Sequence, residues 1–210
     1  MLRRETPGHV ILAAAENREI TIARGEIEEI RASAKSLMPE GLEKEVTKQE
    51  IADLIAFVQQ QKPPAKSFFG NEPRTIAADE QGVFQLPAES ASVHGPTLQY
   101  EAQYGNLGVW TSPADFGVFR GKNVQAGRYQ VTLLYAAPPD VAGNRYRVEC
   151  GEGVLEGDVL ASSGWTDYRP RDAGILELPV GEFELTIRSA GPIKGALFDL
   201  RAVTLTPVGR

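Results

Sequence analysis

The chain has 210 residues, and its 42% hydrophobic content is enough for one large domain, or for a small domain beside a standard one. A net charge of −6, with Lys and Arg scattered and no basic stripe among aromatics, argues against a nucleic-acid binder. No apolar run approaches the roughly 18 residues of a membrane span, and the single cysteine, Cys150, leaves no internal disulfide.

The chain starts with the basic pair Arg3-Arg4, but the apolar stretch Val10–Ala15 is short and soon meets Glu16 and Arg18. It does not read as a signal peptide, and the chain is expected to be a piece of a longer, exported protein. Val10–Ala14 and Glu19–Ala23 alternate apolar and polar residues and predict two short strands, with Glu16-Asn17-Arg18 as the turn. Gly25–Arg31 holds Ile27 and Ile30 at helical spacing but is short enough to be extended instead. Next comes the pair Met38-Pro39. The spacing then predicts a helix over 48–61: Thr47 and Glu50 make a capping box, and Ile51, Leu54, Ile55 and Val58 form one apolar face. Pro63 and Pro64 stop that helix. The expected division is a first region at 1–62, a Pro-rich linker at 63–74 and a second region at 75–210. With so little apolar content the first region is marginal alone, and is expected to lean on the second region or on another protomer.

The second region alternates short β-forming runs with turn signals. Strands are predicted at Val83–Leu86, Leu98–Tyr100, Gly117–Phe119, Tyr129–Ala136, Tyr146–Glu149, Val154–Leu160, Gly174–Leu178, Phe183–Arg188 and Ala196–Thr206. Turn residues stand at Ala126-Gly127, Ala142-Gly143-Asn144, Val180-Gly181 and Ala190-Gly191-Pro192. The fold class expected is mainly β: an antiparallel β-sandwich of jelly-roll type, preceded by a small α+β segment with a C-terminal helix.

Several landmarks of the second region stand in a telling order. They are Pro87-Ala88-Glu89, Tyr100-Glu101, Asn106-Leu107-Gly108-Val109-Trp110, Asp115–Phe119, Val124–Tyr129, Ser163–Tyr168 and Leu197-Phe198-Asp199-Leu200. In that order they resemble carbohydrate-binding modules of families 6 and 35, which are galactose-binding-like sandwiches. The resemblance covers roughly residues 80–208. It implies a structural calcium ion held by Glu89, Glu101 and Asp199, a hard cation on oxygen donors. It also implies polysaccharide or oligosaccharide binding, with Trp110 and Trp165 as stacking rings and Asn106, Asp167 and Tyr168 as secondary contacts. Two departures stand out: the loop of Trp110 carries an extra residue before Asp115, and the family's sugar-binding asparagine position is Leu197.

The first region has its own resemblance. Ile27–Arg31, Ser36–Glu43 and Ile51–Phe57 resemble the C-terminal end of a haem-binding, cytochrome c-like domain of large secreted planctomycete proteins. In that family an upstream Cys-x-x-Cys-His carries the haem and the equivalent of Met38 is the axial ligand. No such motif occurs here, so Met38 would ligate haem only if another chain completed the site. The setting implied is periplasmic or extracellular, beside a parent or partner oxidoreductase. Neither His9 nor His94 is assigned a role. Without a nucleophile elbow, zinc motif or P-loop, no enzyme is expected, although paired carboxylates leave glycosidase chemistry open. Three readings result. One is a calcium-stabilised carbohydrate-binding module on a haem-less remnant. The second is an interaction sandwich without a sugar site, and the third an electron-transfer subunit completed in trans.

Overall fold

The computed structural model describes residues 2–6, 8–13, 18–30, 46–60 and 63–209, with backbone alone at 2–4, 13 and 56–60. Met38, Pro39, Gln61 and most of the stretch between the first strands and the helix lie outside the described residues. The chain divides into two compact units, Met1–Gln61 and Lys62–Arg210.

In the first unit β1 (Leu2–Glu5), β2 (His9–Ala13) and β3 (Glu19–Ala23) form an antiparallel sheet with β2 at its centre. β1 has no alternating pattern and was not expected. A tight turn, in which Thr6 N donates to His9 O at 2.9 Å, folds it onto β2. After β3 the chain makes one 3₁₀ turn, Arg24–Glu26, and returns to extended backbone at Ile27, so the described part of Gly25–Arg31 is not a helix. The helix α1 (Lys48–Gln60) starts where the capping box puts it. Thr47 N donates to Glu50 Oε2 at 2.7 Å, and Glu50 N donates to Thr47 Oγ1 at 3.2 Å, which satisfies two otherwise orphaned amides.

The second unit is a sandwich of two six-stranded sheets. Its strands are β4 (Thr75–Ala77), β5 (Phe84–Pro87), β6 (Ser92–His94), β7 (Gln99–Glu101), β8 (Asn106–Gly108) and β9 (Phe116–Asn123). There follow β10 (Gly127–Ala136), β11 (Arg145–Cys150), β12 (Gly153–Asp158), β13 (Arg169–Leu178), β14 (Gly181–Ser189) and β15 (Asp199–Pro207). One sheet runs β13-β10-β15-β8-β7, with β5 also on β15. The other runs β12-β11-β14-β9-β4, with β6 also on β9. All pairings are antiparallel except β4 with β9. The core follows the period-2 rule. Tyr129, Val131, Leu133 and Tyr135 of β10 and Phe183, Leu185 and Ile187 of β14 point inward and are buried. Phe84 and Phe183 meet edge to face between the sheets at 5.3 Å.

One break in that period decides where the functional end of β15 points. Val203 and Leu205 are buried, yet so is Leu200, at the opposite parity. The register slips by one residue between the pairs Leu134↔Ala202 and Tyr135↔Leu200, which leaves Arg201 as the extra residue of a bulge. Leu200 therefore enters the core, and Asp199 and Arg201 turn away from it.

Residues 63–74, expected as a linker, run along the sandwich instead. Lys66 N donates to Val93 O at 2.8 Å, and Asn71 Nδ2 donates to Glu89 O and Ala91 O at 2.8 and 2.9 Å. Pro63 O accepts from His94 Nδ1 at 2.6 Å, and Phe68 packs against the core. The backbone after the two prolines finds partners on the sheet.

Candidate ligand cleft

Asn106 and Gly108 bracket β8, a strand of three residues paired with β7 and, through Leu107, with β15. Gly108 has no side chain, and that gap is filled by polar ends from three strands. A Cβ built on it would overlap Glu101 Oε2 and lie 2.9 Å from both Asn106 Nδ2 and Asp199 Oδ1. Asn106 is fully buried and donates Nδ2 to Glu101 Oε2 at 3.0 Å, which leaves its Oδ1 without a partner. The reverse orientation of the amide would set oxygen against carboxylate, so the observed one holds Glu101 in place. Burial, and then the charge of Glu101, push the Asp199 carboxyl up to about 7.

Glu101 and Asp199 form part of the wall of a cleft of about 360 Å³. Trp165 and Thr166 line it from the loop before β13, Tyr104 and Val109 from either side of β8, and Ala196 from the approach to β15. Trp165 keeps 39% of its surface exposed, so part of this aromatic side chain is open to a ligand in the cleft. Its loop is held by Asp167, which accepts from Ser163 N at 3.0 Å and Ser163 Oγ at 2.9 Å and pairs with Arg169 at 2.7 Å. Those hydrogen bonds, the one from the Ser163 amide first, keep the Asp167 carboxyl below its ordinary range. Asp167 thus shapes the loop and does not line the cleft. Tyr168 carries the Arg201 guanidinium 3.5 Å over its ring, and burial, then the nearby charge of Asp199, push its hydroxyl up.

Trp110 does not share the role expected of it. It is completely buried, packs edge-on to Phe198 at 5.4 Å, and donates Nε1 to Asp115 O at 3.3 Å. No face is left for a ligand, and the loop before Asp115 closes over the core instead. Asp115, also fully buried, accepts from Thr97 N at 2.8 Å and Ser112 N at 3.1 Å and so fastens this loop. Leu197, at the position where the resemblance expects a sugar-binding asparagine, is buried in the core. The polar group that this strand end presents to the cleft is Asp199.

The neighbouring Val109 carries strain. Its φ of 56° places a β-branched residue in the left-handed region, the sole such non-glycine residue among those described. The conformation is imposed on both sides: Gly108 packs against the carboxylates, and Trp110 O accepts from Leu197 N at 2.8 Å. Backbone strain of this kind costs about 1–3 kcal/mol and collects at functional sites. Val109→Gly is expected to raise stability by about 1 kcal/mol, net of the entropy that glycine adds to the unfolded chain. The urea midpoint of the purified protein checks this.

Of the carboxylates that the resemblance implies for calcium, Glu101 and Asp199 converge and Glu89 does not join them. Glu89 pairs with Arg74 at 2.7 Å, and no group of three or more His, Cys, Asp or Glu side chains suited to a metal ion occurs among the described residues. Burial pushes the Cys150 thiol up, away from the reactive thiolate. Tyr104, Val109, Thr166 and Ala196 carry no signal in the sequence. The fold alone brings them to the cleft, from three separate segments of the chain.

No family model of sequence matches the chain, and no curated protein matches it. Solved structures do match in fold. A family 35 carbohydrate-binding module from Clostridium thermocellum superposes with a TM-score of 0.51 at 13% identity, over 60% of this chain and 98% of that module. The family 35 module of a Cellvibrio japonicus protein gives 0.51 at 11% identity, over 59% and 92%. A Podospora anserina β-(1,4)-mannanase that carries a family 35 module gives 0.50 at 21% identity, over 62% of this chain. The match spans 29% of that mannanase chain. At these identities the likeness is one of fold: the chain contains a β-sandwich with the architecture of carbohydrate-binding modules.

Proposed function

We propose that the second unit is a non-catalytic carbohydrate-binding module whose ligand lies in the cleft between Trp165, Val109 and the Glu101–Asp199 pair. The observation that carries this reading is the half-exposed Trp165 ring set beside two acceptor carboxylates in one cleft. The apolar C–H face of a pyranose stacks on such a ring while its hydroxyls donate to the acids. The volume sits at the small end of ligand pockets, suited to one end or a short stretch of a chain. The fold shared with carbohydrate-binding modules supports the same reading. Affinity electrophoresis and a glycan array test it. Trp165→Ala should keep the fold and weaken binding by roughly thirtyfold, the effect of removing a central aromatic anchor worth about 2 kcal/mol. Undiminished binding in that variant would place the ligand elsewhere.

Calcium is a separate part of the proposal, on a narrower donor set than the resemblance implied. Glu101 and Asp199 would hold the ion through carboxylate oxygens, and Glu89, tied to Arg74, would not. A chelator should then lower Tm, and Asp199→Ala should abolish that difference. A Tm indifferent to chelator and to added calcium removes the ion from the account.

In the wider setting, the module would hold a parent or partner oxidoreductase near polysaccharide outside the cytoplasm. That part rests on the resemblance of the first region to the tail of a haem domain. A Soret band on adding haem to the purified chain would favour electron transfer by this chain itself. Haem-free spectra together with glycan binding favour targeting.

A further inference from the structure

We propose that the ligand of this cleft is a glycan bearing a protonated amine, its ammonium seated between Glu101 and Asp199 and its ring against Trp165. This rests on the carbohydrate-binding reading, narrows it to one class of sugar, and is the alternative to calcium, since the two carboxylates converge on one gap above Gly108.

The argument starts from charge. Elsewhere in the sandwich, partly buried carboxylates are matched: Glu89 with Arg74, Glu149 with Arg147 and Arg188, Glu156 with Arg145 and Arg147. Asp115 is held by neutral donors, from Thr97 and Ser112; Glu101 and Asp199 instead stand side by side. They face one point above Gly108, and among the described residues neither has an ion-pair partner. Arg201, which follows Asp199 by two residues, is committed to the Tyr168 ring and donates to Tyr104 O at 3.1 Å.

A second observation concerns the neutral residue beside the acids. Asn106, fully buried, turns its amide group toward Glu101 and leaves its own Oδ1 with no partner. An unpartnered buried acceptor is costly, and here the cost is accepted to fix the carboxylate's position in the cleft. A neutral hydroxyl satisfies acceptors but leaves the negative charge of the pair uncompensated in a half-enclosed site. An ammonium supplies three N–H donors and the missing charge together. Trp165, which lines the same cleft, is a ring type that attracts both a pyranose and a cation.

The test compares glucosamine oligomers with their N-acetylated counterparts of equal length, which keep the ring and lose the charge. Isothermal titration is run on the full chain in chelator, at mildly acidic pH where the amines are charged. The amine form should bind about ten- to a hundredfold more tightly, the gain from one charge-assisted hydrogen bond, and the preference should shrink as salt rises. Glu101→Gln preserves the acceptor for Asn106 and should cancel the preference while leaving binding of the N-acetylated form. Gly108→Ala, whose methyl displaces the Glu101 carboxylate, should do the same. Equal affinity for the two forms, or a preference that both variants retain, overturns the inference and leaves the carbohydrate reading standing. Failure of the folded wild type to bind any glycan sinks that reading too.

Discussion

Trp110→Ala is expected to lower the stability of the second unit by about 3–5 kcal/mol, the cost of emptying a fully enclosed aromatic site. The ring packs against Phe198, which in turn stacks on Tyr135 at 4.8 Å, so the loss opens a cavity beside the aromatic centre of the core. It also strands Asp115 O, the acceptor of the indole N–H. Trp165→Ala removes a ring that is already partly in water and should cost far less stability. Chemical unfolding of the two variants separates the roles: a large drop in midpoint for Trp110→Ala, a small one for Trp165→Ala. Similar midpoints would mean that the burial described for Trp110 is wrong.

The second large effect is on pH. The Asp199 carboxyl is ordinarily near 3.8 and is raised to about 7 in the fold, chiefly by burial and then by Glu101. The folded protein therefore holds a proton that the unfolded chain has released between those two values. Stability from this group is full below about 3.8, falls as pH rises through the window, and is gone above about 7. Asp199→Asn removes the slope. It should leave Tm unchanged at the acid end of the window and raise it in mildly alkaline buffer. Discounted for the partial exposure of the carboxyl, the gain is roughly 1–2 kcal/mol, or about 3–8 °C. A variant that tracks the wild type at every pH would show that a bound cation or solvent already neutralises Asp199. Repeating the scan with calcium distinguishes these, because a bound divalent ion would lift the alkaline wild-type Tm.

Much of the architecture was legible before the structure. β10 and β14 alternate cleanly over nine or ten residues, and the Gly-containing turns mark their ends, so the strands and the sandwich class followed from the pattern. β4, β6 and β8 span three residues each and offer too little alternation to register. The site was legible only in part. Trp165 stood out as a tryptophan in a Gly-containing loop, and it lines the cleft. Trp110 gave the same signal and is buried, because the difference lies in which way the segment after Gly108 turns. The pairing of Glu101 with Asp199 depends on the bulge at Arg201, a one-residue slip that no local pattern announces. Asp167, read as a ligand contact, fastens the loop, while Tyr168 carries Arg201 over its ring and feels the charges of Asp199 and Glu101. Met38, the residue that tied the chain to a haem domain, lies outside the described residues.

The central claim, that Trp165 is the platform for a glycan, can be tested by the chain's own fluorescence. It has two tryptophans, one buried and one half-exposed, so a soluble quencher such as acrylamide reports chiefly on Trp165. Titrating a glycan that the array identifies should shield Trp165 from the quencher in proportion to the fraction bound, and Trp165→Phe should lose that signal. Quenching that stays unchanged at saturating glycan would contradict the account.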